Sequence, residues 1–155
     1  DAEPVNTATW ISSLEIKDIL LDTDARRVLV IADSCFSGAF AYDERRLVPS
    51  LEQIEGAQDV ERLLARRSQQ YIASGGEEPI VDDGGGNHSI FAGALLEVLE
   101  ANTEIVDSAR IFEAVLGEVQ LSADRLGLNQ LPEHGVLESD DGGVFFFIPQ
   151  DRFEG

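Results

Sequence analysis

The sequence predicts an α/β fold built around a largely parallel sheet. Amphipathic helical stripes alternate along the chain with short apolar runs, a pattern that places helices against a sheet. One run, Val28-Leu29-Val30-Ile31-Ala32, is apolar at every position and rich in β-branched residues, as expected of a strand covered on both faces. Two such runs stop abruptly at small polar residues, Asp33-Ser34-Cys35 and Ser74-Gly75-Gly76. In parallel sheets the working site lies beyond the carboxyl ends of the strands, so these two breaks mark where a site is expected.

The elements follow in order. Ser12 and Glu15 have capping-box spacing, and Ile16, Ile19 and Leu20 continue as an apolar stripe, predicting a helix over 13–21. The strand at 28–32 comes next. No period holds from 39 to 57, where Arg45, Arg46, Pro49 and Gly56 indicate an exposed loop. Val60, Leu63 and Leu64 give a helix over 59–67, and Gln70-Tyr71-Ile72-Ala73 a second short strand. The stretch 77–86 is acidic and glycine-rich and is expected to be mobile. Ile90, Phe91, Ala94, Leu95, Val98 and Leu99 trace one helix. Ile111, Phe112, Val115, Leu116 and Val119 trace another, beginning near Ser108. His134-Gly135 reads as loop after Pro132, and Val144-Phe145-Phe146-Phe147-Ile148 as a closing buried strand.

With 155 residues and 43% apolar content, the chain suits one domain spanning 1–155. The formal charge of −19 repels phosphate backbones and anionic bilayers, which argues against nucleic-acid and membrane partners. It suits basic peptides or divalent cations, and equally a surface kept acidic for solubility. A single Cys excludes an internal disulfide and fits a reducing, cytoplasmic compartment. The chain opens on Asp1 rather than Met, so an upstream segment is expected.

Cys35 carries the chemistry. It follows a buried strand in a tight polar turn, where Ser37-Gly38 lets backbone N–H groups approach a developing oxyanion. A thiol at such an edge is a nucleophile once a His lowers its pKa. The stretch Val30-Ile31-Ala32-Asp33-Ser34-Cys35-Phe36-Ser37-Gly38 resembles the nucleophile motif of caspase-like cysteine peptidases, in their metacaspase and bacterial branch. The resemblance continues through Tyr71-Ile72-Ala73-Ser74-Gly75-Gly76-Glu77 and Asn87-His88-Ser89-Ile90-Phe91, covering about residues 9–99.

The resemblance implies a three-layer sandwich with a mostly parallel sheet, whose N-terminal strands are missing from this chain. It also implies a His–Cys dyad in which the His precedes the Cys. His88 and His134 both follow Cys35, so the dyad His is expected on an upstream segment or a separate chain. Cys35 is then the nucleophile, and its backbone N–H is part of the oxyanion hole. Asp33, two residues before it, would line the primary specificity pocket and select Arg or Lys before the cut, with Ser74 and Gly75 as the facing wall. Arg45-Arg46 offers an autoprocessing site in the following loop, and Arg66-Arg67 a second dibasic pair. No cofactor is implied, although Ca²⁺ activates some relatives. Glu77, Glu78, Asp82 and Asp83 are acidic enough to attract Ca²⁺ but lack EF-hand spacing. Two other readings stand beside the enzyme: an inactive caspase-like scaffold module, and a flavodoxin-like ligand-binding domain in which Cys35 is incidental.

Overall fold

The computed structural model describes residues 13–33, 47–54, 56–75 and 88–150. Helix α1 is Ser13–Asp22 and strand β1 is Arg27–Ala32, followed by a 3₁₀ turn at Leu51–Gln53. Helix α2 (Ala57–Ala65) leads into β2 (Ser68–Ala73). The second half runs α3 (Ile90–Ala101), β3 (Val106–Asp107), α4 (Ser108–Leu126), β4 (Glu133–Val136) and β5 (Phe146–Phe147).

A three-stranded sheet has the order β1-β2-β4. β1 and β2 are parallel, with Leu29 opposite Gln70 and Ala32 opposite Ala73. β4 is antiparallel to β2, with His134 opposite Ile72. The sheet is therefore mixed, because the segment expected to be loop after Pro132 pairs as an edge strand. Its sequence, Glu-His-Gly-Val, lacks the apolar alternation that marks a strand, and Gly135 is there for a steric reason. A Cβ on Gly135 would lie 2.6 Å from the Tyr71 ring, so a larger residue there would force that buried side chain to shift before the two strands could close.

Side-chain alternation splits the sheet into two apolar faces. On one, Ile72 and Leu29 meet Phe91, Ala94 and Leu95 of α3 and Ile111, Val115 and Val119 of α4. On the other, Tyr71, Ala73, Val30 and Ala32 meet Leu137 and the α1 residues Ile16 and Leu20. Helices thus cover both faces, α3 and α4 along their predicted stripes and α1 through Ile16 and Leu20, whereas Ile19 is exposed and α2 (Val60, Leu63, Leu64) buries no residue in either cluster. β1 is less buried than its sequence suggests. Ile31 is 42% exposed, and among the described residues β1 pairs with β2 alone.

β2 begins two residues earlier than its apolar run. Ser68, Gln69 and Gln70 are fully buried, which is tolerable only because most of their polar groups are satisfied. The Gln69 N–H donates to Asp140 Oδ1 at 2.8 Å, and Ser139 Oγ donates to Gln69 Oε1. Gln70 Nε2 donates to the Gly143 carbonyl at 3.3 Å, while Ser108 Oγ donates to Gln70 Oε1. These bonds stitch 139–143 onto the sheet. The closing apolar run consequently does not join the main sheet. Only Phe146–Phe147 is strand, and it pairs antiparallel with β3.

Candidate functional site

The two predicted break points meet. Ala32 and Ala73 are register partners, and the Ser74 N–H extends the ladder by donating to the Ala32 carbonyl at 2.9 Å. Asp33 and Ser74 therefore leave the parallel pair side by side at its carboxyl edge. Cys35, Arg45 and Arg46 lie outside the described residues, as do Glu77, Glu78, Asp82 and Asp83.

Asp33 is exposed, and its carboxylate has a specific partner. Ser89 Oγ donates to Asp33 Oδ2 at 2.7 Å, and the same oxygen accepts the Ala92 N–H at 2.9 Å as the N-cap of α3. The carboxylate is thus set against the positive end of a helix whose next turns are anchored in the core by Phe91, Ala94 and Leu95. Ser74 is buried, and its carbonyl accepts from Gln130 Nε2 at 3.2 Å. Gly75 has φ +59° and packs against the Leu131 carbonyl, so its first role is to let the 130–132 segment close over the end of β2. Beyond Ser89, a groove of roughly 400 Å³ runs between α3 and α4, with His88 and Ser89 at one end and Arg125 and Leu126 on α4.

Ser89 and Gln130 belong to this edge and were not singled out by the sequence. Ser89 had a readable signal, since a Ser directly before an apolar helical stripe is the usual N-cap. Gln130 had none; its partner is 56 residues away. The arrangement offers an anion on a rigid mount at a strand exit, suited to a cationic ligand group.

The second dibasic pair is engaged in the fold. The Arg66 N–H bonds to the Leu63 carbonyl at 3.3 Å, and the Arg67 carbonyl accepts from Asp141 and Gly143 at 3.1 and 3.0 Å. A peptidase needs that backbone extended and unpaired, so cleavage at Arg66-Arg67 would require local unfolding first.

The two His residues differ. His88 is exposed beside the site. His134 sits in β4 with its ring 5.1 Å from Phe112, and its Nε2 is buried without a hydrogen-bond partner among the described residues. Burial pushes its pKa down to about 4 from 6.5, against the pull of the Asp107 carboxylate. Between those values the unfolded chain takes up the proton and the folded chain does not. The stabilisation is therefore complete above pH 6.5 and declines as the pH falls toward 4. From pH 7 to 4.5 this one group should remove about 2–3 kcal/mol. Urea denaturation at both pH values should show His134→Leu losing less stability by that amount, and an equal decline in the two proteins would refute the assignment.

No family model, curated protein or solved structure matches this chain.

Proposed function

We propose that this chain is the Cys-bearing part of a cysteine endopeptidase that cleaves after Arg or Lys. The observation that carries the reading is the carboxyl edge of the β1–β2 pair. Asp33 leaves β1 there as an exposed carboxylate, beside the exit of β2 and the start of α3, and Cys35 follows two residues later. That edge is where a parallel sheet presents catalytic groups, and a fixed carboxylate there is complementary to a guanidinium or ammonium group.

The dyad His comes, in this proposal, from a segment or subunit that pairs along the outer edge of β1. Two features support that position: β1 lacks a partner there among the described residues, and Ile31 is left 42% exposed. The His nitrogen takes the Cys35 proton, and the thiolate attacks the scissile carbonyl carbon. The amine leaves with the proton from the imidazolium, giving a thioester. Water, deprotonated by the same His, then releases the acyl group as a carboxylate and regenerates the thiol.

The test is hydrolysis of fluorogenic peptides ending in Arg, Lys or Asp by the chain co-expressed with its upstream segment, with and without calcium. Arg and Lys peptides should be cleaved and the Asp peptide spared. Cys35→Ala should lower the rate at least about 10³-fold. Cleavage after Asp alone would discard the role of Asp33 while keeping the peptidase. No cleavage from a folded protein whose Cys35 alkylates slowly would favour an inactive scaffold module.

A further inference from the structure

We propose that Ser89 is a positioning residue for Asp33, fixing the plane of its carboxylate and thereby favouring Arg over Lys before the cut. This rests on the peptidase reading for its role in catalysis, but its geometry is independent of Cys35.

The Ser89 hydroxyl has one proton and makes two bonds whose directions are set. Because its oxygen accepts the Ala92 N–H at 2.9 Å, its proton is directed away from the helix and onto Asp33 Oδ2, at 2.7 Å. The donor is 7% exposed and the acceptor residue is exposed, so a buried, rigid group orients a carboxylate that solvent and ligands can reach. Both ends are held. Ser89 caps a helix packed into the core, and Asp33 directly follows Ala32, whose carbonyl accepts the Ser74 N–H.

The two basic side chains read this arrangement differently. A guanidinium makes paired, coplanar N–H bonds to a carboxylate, so its affinity depends on the orientation of that plane. An ammonium is a compact charge with rotatable donors and tolerates a turning carboxylate. Removing the Ser89 hydroxyl frees the carboxylate to rotate. Arg substrates should suffer and Lys substrates much less.

Ser89→Gly is the informative variant, because Gly at an N-cap weakens a helix far less than Ala does. Thermal melting should confirm that it stays folded. For Arg peptides kcat/KM should fall about tenfold, chiefly through KM, and for Lys peptides less than about threefold. Ser89→Thr, which keeps the hydroxyl, should restore the Arg preference. Equal losses for both peptides, no loss at all, or failure of Thr to restore the preference would overturn the role. If the wild type cleaves neither peptide, the peptidase reading falls, and Ser89 is judged by binding. Agmatine and pentylamine would then be titrated while the Asp33 and Ser89 amide resonances are followed. Weaker agmatine binding in Ser89→Gly with pentylamine unchanged supports the proposal. Absence of agmatine binding to the wild type, or equal effects on both amines, overturns it.

Discussion

Gly75→Ala is expected to destabilise the folded chain by about 2–5 kcal/mol, more than a surface substitution should. Two independent penalties add at this position. Its φ of +59° is left-handed, which costs an alanine about 1–2 kcal/mol. A Cβ there would also lie 1.7 Å from the Leu131 carbonyl oxygen and 2.6 Å from its carbon. Those are backbone atoms, so no rotamer change relieves the clash; the 131–132 segment must move off the end of β2. Forced shifts of this kind add about 1–3 kcal/mol. Gly127 separates the two penalties. It ends α4 with φ +67° and has nothing within 4 Å of an added Cβ, so Gly127→Ala should show the conformational part alone. Urea denaturation of both variants tests this. Equal losses of about 1–2 kcal/mol would mean that the packing at 131–132 yields easily.

Where a residue's partners were close in sequence, or its pattern was periodic, the sequence was informative. α3 and α4 bury the stripes that their spacing indicated, and Phe91, Ile111, Val115 and Val119 are core residues as expected. Asp33 and Ser74 were placed at a common edge from the ends of two apolar runs, and the parallel register brings them together. The sequence failed where polar groups are buried by distant partners. Gln69 and Gln70 look like surface residues, yet they are interior because Asp140, Ser139, Gly143 and Ser108 satisfy them from 38 to 73 residues away. β4 was missed because pairing with β2, rather than propensity, makes 133–136 a strand. The Ser89–Asp33 bond spans 56 residues, and no local pattern announces it.

Asp107→Ala is expected to cost about 2.5–4 kcal/mol and to release the segment around Leu51. Asp107 is 4% exposed and is the N-cap of α4, where its Oδ1 accepts the Arg110 N–H at 2.9 Å. Its Oδ2 accepts the Leu51 N–H at 2.6 Å and the Ser50 hydroxyl at 3.1 Å. Loss of a helix cap costs about 1 kcal/mol. Leaving these partly buried donors without a charged acceptor adds about 1.5–3 kcal/mol. Asp107→Asn keeps an oxygen and an equally good cap, so it should recover about half of the loss. Because Ser50 and Leu51 depend on this carboxylate, limited proteolysis of Asp107→Ala should cut within 47–54 at protease levels that leave the wild type intact. The Arg110–Glu52 ion pair is exposed and holds that segment only weakly. Asp107 also favours the protonated form of His134, the one influence opposing its burial. Removing it should therefore lower the His134 pKa below about 4, which imidazole NMR titration reads directly. A variant that keeps wild-type stability and His134 titration would show that Asp107 neither clamps Leu51 nor acts on the imidazole. Loss of the clamp with unchanged titration would locate its whole effect in the hydrogen bonds to residues 50, 51 and 110.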